Sequence, residues 1–506
     1  MSAFARQLQF ERLMWFAAFF VGLVVISMIL TTGNYLVILL VGGIAWLALL
    51  PYHAKLALTL GVTNFGSALI LPFFPGRPFI WEFAALLAWS GLVVTFCLRE
   101  QAPDYHQQLR RHRLILLGVL AYVGVLFMLI YVHGTGLQLL GSSQMGGRVY
   151  YQQIACSVFP ILFLAIPLTA SQAIRLYTWQ CYLSLTYIIS DLVLSTGVGS
   201  KLWILLYFFG LSNDGITFEN QSLAGGLRRF QSLAIVGQAF IYLLLTRVNL
   251  SRFLSRSLVW LGPVALLLFT IGAAGGHRGM LVLLFLTVLG CIYGQRFMTV
   301  PRFIGGLVLT GLLLVSAYTF AREFPLSVQR TLSLLPGIDV DPIAADDGEA
   351  TFGGRLVMRS VGWQVAPHYL WIGRGFGFNY NVVPPPEYDP YGFLRENLEA
   401  GRFYNGFIGL LVNTGIPGTV FCSMFLLGTS WLAIKALRHL RRYGCDDGLA
   451  RLTCVLASNW LANVIFFYFL HGDSEFALRT FALQAGLLMA CARLRFQAFE
   501  NLPEST

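Results

Sequence analysis

The sequence predicts an all-α integral membrane protein with about fourteen transmembrane helices, twelve to fourteen in all, and one long extracytoplasmic loop. Of the 506 residues, 57% are hydrophobic and only 11% are charged, less than half the roughly 25% usual in a soluble domain. Apolar runs long enough to cross a bilayer core about 30 Å thick recur from residue 14 to residue 492. Basic residues are concentrated in alternate loops between these runs. This composition excludes a soluble enzyme.

Each predicted span satisfies the requirement for about 20 apolar residues per transmembrane helix. The spans lie at 14–32, 35–51, 55–73, 80–98, 113–132, 153–171, 178–197, 230–246, 257–275, 279–294, 302–320, 404–432, 452–470 and 475–492. Those at 35–51, 55–73 and 279–294 are short or interrupted by glycine. Short connections at 32–34 and 51–54 predict helical hairpins there.

The distribution of Lys and Arg predicts the orientation. Twenty of the 34 basic residues fall in one set of alternate loops, which identifies that side as the cytoplasm. An even number of spans then places both termini in the cytoplasm. The formal charge of +11 therefore follows topology, and we expect no nucleic-acid partner.

The chain divides into four parts. Residues 1–197 form N-terminal spans, 198–320 form spans with candidate phosphate-binding arginines, 321–403 form a long periplasmic loop, and 404–506 form the last spans and a short cytoplasmic tail. The loop is too long for an ordinary connection, which indicates a functional element. We expect its acidic first part to be irregular and its middle, residues 355–370, to be helical.

Four of the six Gly-Gly pairs have an arginine within the next two residues, where composition predicts roughly 0.8 such cases. These arginines are Arg148, Arg228, Arg278 and Arg355, all on the predicted outer face. Glycines beside an arginine let backbone N–H groups and a guanidinium converge on phosphate oxygens. The alternative is that Gly-Gly ends a helix and the arginine reaches water, an interpretation that carries equal weight for Arg148. We expect no metal site, because the eight cysteines show no ligand spacing.

Several segments together resemble the O-antigen polymerase and O-antigen ligase family. His277-Arg278-Gly279-Met280-Leu281 is similar to its Ser-Arg-Gly segment, and Arg228-Arg229-Phe230 to its other functional arginine. The stretch from Gly354 to Gly377 is similar to its periplasmic loop, and the stretch from Tyr404 to Gly418 to the element that follows. The resemblance covers roughly residues 225 to 425.

The resemblance implies a metal-independent membrane glycosyltransferase without a cofactor, which acts at the outer face on an undecaprenyl-diphosphate-linked glycan donor. Its acceptor would be a second glycan or a lipid, and a chain-length regulator would be a further partner. Arg278, Arg228, Arg229 and Arg355 would hold the diphosphate leaving group, whose charge must be neutralised as the bond breaks.

The proton acceptor is less defined, because this chain has Tyr404 where ligases of the family carry a histidine before the asparagine. An unperturbed tyrosine pKa of about 10 suits a base at neutral pH poorly. We therefore expect Tyr404 and Asn405 to orient the acceptor and Glu399 or Glu396 to accept the proton, with His471 and Asp473 as alternatives. His277 would add a donor to the phosphate site or be solvated at its helix end. His368 reads more simply as a packing residue than as a catalytic one.

Three functions compete. A polymerase joining lipid-linked repeat units of O-antigen or exopolysaccharide leads, because Tyr404 departs from the ligase pattern. A ligase transferring finished glycan to lipid A core or to a protein is the closest alternative. A lipid-linked glycan flippase is disfavoured, since transporters place polar residues near the bilayer midplane and here the charged candidates lie in outer loops.

Overall fold

The computed structural model describes residues 35–72, 77–98, 101–134, 146–195, 202, 204–210, 231–250, 260–275, 277–297, 299–333, 335–377 and 393–500. The predicted span at 14–32 lies outside these residues. Among the described residues almost all regular structure is helical, as predicted, and the β-structure consists of two isolated bridges, Leu69 with Phe209 and Ile70 with Phe79.

The helices of the N-terminal half are α1 (Tyr35–Ala48), α2 (His53–Asn64), α3 (Ile80–Cys97), α4 (Tyr105–Arg111), α5 (Arg113–His133), α6 (Gly147–Cys156), α7 (Phe159–Ala165), α8 (Ala170–Leu183), α9 (Thr186–Ser195) and α10 (Leu205–Phe208). The C-terminal half contains α11 (Gln231–Arg247), α12 (Leu261–Ala274), α13 (Arg278–Gly294), α14 (Val300–Thr319), α15 (Leu326–Leu332), α16 (Pro342–Val365), α17 (Phe393–Ala400), α18 (Gly406–Tyr443), α19 (Gly448–Ile465) and α20 (Ala477–Glu500). A π-helical turn, Phe466–Leu470, follows α19.

The fourteen predicted spans are not confirmed. Within the described residues, five helices are long and apolar enough to cross a membrane, or six if the bent pair Leu40–Ala48 and Leu50–Asn64 counts as one span. That pair bends by 60°, so the hairpin predicted at 51–54 is wrong, and Pro51 accounts for the break. The predicted span 153–171 is divided between α6 and α7. Helix α7 ends at Ala165, because Pro167 disfavours helical conformation at the residue before it.

One helix of the bundle is broken within its apolar segment. In α18, Gly415 has φ +69° and ψ −175°, and Pro417 follows two residues later. The break leaves backbone carbonyls without helical partners, and buried backbone groups need partners in an apolar environment. The loop segment 370–377 supplies them: Arg374 N donates to Val412 O at 2.9 Å and Gly375 N to Asn413 O at 3.0 Å. The segment 370–377 of the predicted periplasmic loop therefore packs into the bundle.

The core of the C-terminal bundle is aromatic. Trp460 of α19 packs edge-on against Phe425 of α18 and Phe481 of α20, with centroid separations of 5.9 and 5.2 Å. Its indole N–H donates to Ser430 Oγ at 3.1 Å, which satisfies the one polar group of the ring. This cluster holds together the helices whose ends carry the candidate site.

Candidate functional site

The site is built around Tyr404, in the turn between α17 and α18. Its φ is +50°, a left-handed backbone conformation that is unusual for an aromatic residue and persists where surrounding contacts enforce it. Two such contacts are present: the phenol donates to Asn397 Oδ1 at 3.0 Å, and the ring stacks on His471 with centroids 5.1 Å apart. The turn thus presents a fixed aromatic platform.

Asn405 fixes the start of α18. The sequence predicts a helix N-terminus at this position, and the structure confirms it. Its Oδ1 accepts from Ile408 N at 3.0 Å, which makes it the N-cap. Its amide donates to Tyr468 O at 2.8 Å. Asn405 therefore joins α18 to the π-helical turn, and it positions Tyr404 through the backbone.

Two arginines of α16 lie over this platform. The Cζ of Arg355 is 5.8 Å from the Tyr404 ring centroid, within the range of a cation–π contact. Arg359, one turn further on, donates to Tyr404 O at 3.3 Å and to Leu470 O at 2.5 Å. Burial lowers the pKa of Arg359. Sequence reasoning found Arg355 but missed Arg359, although the i, i+4 spacing on a predicted helix was visible.

Arg278 approaches the same helix from α13. A β-carbon at Gly348 of α16 would lie 2.8 Å from Arg278 Nη2, so the guanidinium rests against this glycine. Gly348 and Arg355 are seven residues apart, which places them on one face of α16 about 10 Å apart. The structure therefore brings two predicted phosphate arginines to one helix face.

His471 links the two ends of the site. Its ring packs edge-on against Phe466 at a centroid separation of 5.9 Å. Phe466 in turn covers Gly279, where a β-carbon would lie 2.7 Å from the phenyl Cζ. The start of α13, with His277 as N-cap, is thus connected to Tyr404 through Phe466 and His471.

The loop between the π-helical turn and α20 carries two carboxylates of the site, those of Asp473 and Glu475. Arg402 Nε and Glu475 Oε1 form an ion pair at 2.8 Å, and Glu475 is buried. Burial alone would lower the pKa of Arg402, but attraction to Glu475 and Asp473 raises it overall. Asp473 Oδ1 is buried and has no hydrogen-bond partner in the part of the chain that is described, so it can accept a hydrogen bond from a ligand hydroxyl.

Five other predicted residues lie apart from this arrangement or outside the described residues. Glu399 is 6% exposed, and its backbone carbonyl accepts from Arg374 Nη2 at 2.7 Å. Burial lowers the pKa of Arg374 to about 10. The side chain of Glu396 lies outside the described residues, as do Arg228 and Arg229. His368 is exposed in the turn after α16, and no described contact brings it to Tyr404.

The phosphate interpretation of Arg148 gives way to an internal ion pair. Its Nε and Nη2 donate to the two oxygens of Glu82 at 3.0 and 2.8 Å, and the two residues are 5% and 1% exposed. Gln152 also donates to Glu82, at 2.7 Å. Arg148 therefore neutralises a buried carboxylate inside the bundle.

The arrangement is cationic and partly open. Arg278, Arg355 and Arg359 are half-buried, as are Tyr404 and His471. No group of three or more His, Cys, Asp or Glu residues suited to a metal occurs among the described residues. Chemically, the guanidinium groups can hold phosphate oxygens, and the ring platform with the Asp473 oxygen can hold a sugar hydroxyl.

One known family matches a part of the chain that includes this arrangement. A family described as O-antigen ligase matches residues 262–423, a range that contains α13, α16, α17 and the first half of α18. No curated protein matches the chain. The matched range includes Arg278, Arg355 and Tyr404, and it ends before His471 and Asp473.

Proposed function

We propose that this chain, whose residues 262–423 match the O-antigen ligase family, is a membrane glycosyltransferase that polymerises undecaprenyl-diphosphate-linked oligosaccharide repeat units. The reaction takes place at the outer face of the plasma membrane. The observation that carries the proposal is the juxtaposition of Arg278 and Arg355 on one face of α16 with the Tyr404–His471 stack.

In this reaction a hydroxyl of the acceptor sugar attacks the anomeric carbon of the donor. The bond from that carbon to the diphosphate oxygen breaks, and the lipid diphosphate leaves with the bonding electron pair. Arg278 and Arg355 neutralise the charge that develops on the leaving group, and guanidinium groups do so without losing a proton. Tyr404 supports the acceptor ring by stacking.

His471 accepts the hydroxyl proton in this scheme, and Asp473 orients the hydroxyl through its unpartnered oxygen. Histidine is the side chain that most often serves as a general base in enzymes. The stacking of its ring on Tyr404 supports this role. The sequence-based choice of Glu399 or Glu396 stays a prediction, and the two assignments differ in a measurable way.

Reconstituted full-length protein tests the function with purified lipid-linked repeat units. A polymerase converts them into a ladder of products that each gain one repeat unit. A ladder supports the proposal. Transfer that occurs only when lipid A core is added contradicts it and identifies a ligase. Movement of the lipid across the bilayer without a new glycosidic bond contradicts it and identifies a flippase.

Single-turnover rates then test the assignment of the base. His471→Gln should lower the rate of transfer by about 10²-fold or more, the usual contribution of a general base, and Glu399→Gln should stay within about twofold of wild type. Tyr404→Phe keeps the ring and should lose less than His471→Gln. A full rate in His471→Gln beside an inactive Glu399→Gln or Glu396→Gln would return the base to the carboxylates.

The ligase remains the second candidate, because the matched family is described as O-antigen ligase. Ligation would use the same arginines and the same displacement at the anomeric carbon. It would differ only in the acceptor, which would be a lipid A core or a protein. Tyr404, in place of the histidine that ligases carry there, favours polymerisation.

A further inference from the structure

A second arginine-containing cavity lies apart from the candidate site. Its volume is about 210 Å³, and Phe65, Trp81, Tyr187, Phe476, Arg479 and Thr480 line it. None of these residues belongs to the Arg278–Tyr404–His471 arrangement. The cavity is smaller than the roughly 300–1,000 Å³ of pockets for drug-sized ligands, so it suits one headgroup-sized fragment.

Arg479 is held there by aromatic rings. Its Cζ lies 4.9 Å from the Trp81 ring and 5.0 Å from the Phe476 ring. Its closest polar contact is Gln152 Oε1, at 3.5 Å from Nη1. A guanidinium has five N–H donors, so most of its donor capacity is unused by the described residues.

The nearby carboxylates are already paired. Glu82 is held by both prongs of Arg148, and Glu475 is held by Arg402. Asp473 interacts with Arg402 as well. No described carboxylate lies within 4.0 Å of Arg479, so a ligand would be its first direct anionic partner.

The position of Arg479 fits a lipid headgroup. It is the sixth residue of the apolar segment Ser474–Phe496, counted from the end that the charge distribution places at the outer face. A charged residue within an apolar span is expensive and marks a functional site by default. A phosphate that enters from the lipid headgroup layer reaches this depth while its apolar chain stays in the bilayer.

We infer that the Arg479 cavity binds the phosphate of a second membrane lipid. Resting on the proposed function, this lipid is the acceptor, whose diphosphate is held at Arg479 while its sugar extends toward Tyr404. A polymerase needs such a second site because donor and acceptor both carry a lipid diphosphate. The ion pair of Arg402 with Glu475, four residues before Arg479, connects the two sites.

Equilibrium binding to the full-length protein in detergent tests this inference, with radiolabelled undecaprenyl diphosphate as the probe. Wild type should bind two equivalents. Arg479→Gln and Arg278→Gln should each weaken one equivalent by tenfold or more, and the double variant should lose both. Thr480→Leu narrows the cavity without removing the charge and should weaken the same equivalent as Arg479→Gln. Arg441→Gln, an exposed arginine elsewhere, should bind like wild type.

Competition with unlabelled lipids shows whether the phosphate at Arg479 belongs to undecaprenyl diphosphate or to a phospholipid. If phosphatidylglycerol displaces the Arg479-dependent equivalent and uncharged undecaprenol does not, the site takes a phospholipid, and the acceptor role is wrong. Two unchanged equivalents in both Arg479→Gln and Thr480→Leu, or one equivalent in wild type, would overturn the inference. Failure of the proposed function is distinct, because wild type would then form no polymer while Arg479-dependent binding persisted.

Discussion

A methyl group added at Gly348 should impair catalysis while leaving the fold intact. The β-carbon of an alanine there would lie 2.8 Å from Arg278 Nη2 and 2.5 Å from Ser333 Oγ. Ordinary contacts between non-bonded heavy atoms are about 3.5–4.0 Å, so the guanidinium must withdraw by roughly 0.7 Å or more. Both obstructing atoms end flexible side chains, so the backbone need not move.

The expected size of the effect follows from the role given to Arg278. A displacement of about 1 Å of a positioned group can lower the rate about 10²-fold, so we expect Gly348→Ala to lower the transfer rate about tenfold to a hundredfold. Stability should not fall, since alanine is favoured over glycine in a helix interior by about 1 kcal/mol. This combination separates a displaced arginine from a damaged fold.

The assay is the single-turnover transfer of lipid-linked repeat units, measured beside the thermal stability of the same preparation. Gly353→Ala is the matched control, because it lies on the same helix and a β-carbon there would meet no atom within 4 Å. Equal transfer rates for the two alanine variants would refute the placement of Arg278 against α16. A loss of stability confined to Gly348→Ala would refute the claim that the effect is local.

Three further predictions concern the scaffold and its orientation. Arg148→Gln should lower the free energy of unfolding by about 3–5 kcal/mol, because it leaves Glu82 buried without its cation, and Arg148→Met with Glu82→Leu should recover most of that loss in unfolding measurements in detergent. Gly415→Ala should lower it by at least about 1–2 kcal/mol, because φ is +69° and the β-carbon would lie 3.0 Å from a loop carbonyl. In a cysteine-free chain, cysteine at Ser333 should be labelled from outside intact cells, and cysteine at Asp446 only after permeabilisation.

Each of these has a contradicting result. A double variant as unstable as Arg148→Gln would show that more than the uncompensated carboxylate is involved. Wild-type stability of Gly415→Ala would show that the break in α18 is dispensable. Labelling at Asp446 from outside would reverse the topology on which the outer position of the site depends.

The sequence was sufficient for the parts of the site that depend on local signals. Arg278 begins a helix after a Gly-Gly pair, and Asn405 caps the helix that its neighbours predict. The start of α16 had such a signal as well: Asp341 caps it and Pro342 occupies its first turn, a common helix start. Because acidic residues follow, the sequence predicts irregular structure there, and the predicted helix at 355–370 begins thirteen residues too late.

Other features depend on contacts between distant residues, which no local pattern contains. Arg148 shares the Gly-Gly-Arg pattern of Arg278, but its partner Glu82 is 66 residues away along the chain. In the sequence, nothing distinguishes Arg479 from other residues of its span. Only its contacts with the rings of Trp81 and Phe476 do so. The span count is not confirmed for a related reason, since hydropathy alone does not show where α8 ends and α9 begins.

The most direct test of the central claim is the transfer rate of Arg278→Lys in reconstituted full-length protein. Lysine keeps the charge but loses the planar, two-pronged contact with phosphate oxygens. We expect Arg278→Lys to lose at least tenfold in transfer rate at normal protein level and stability, and Arg441→Lys to transfer repeat units at the wild-type rate. Equal rates for Arg278→Lys, Arg278→Ala and wild type would contradict it, because the leaving group would then be held elsewhere.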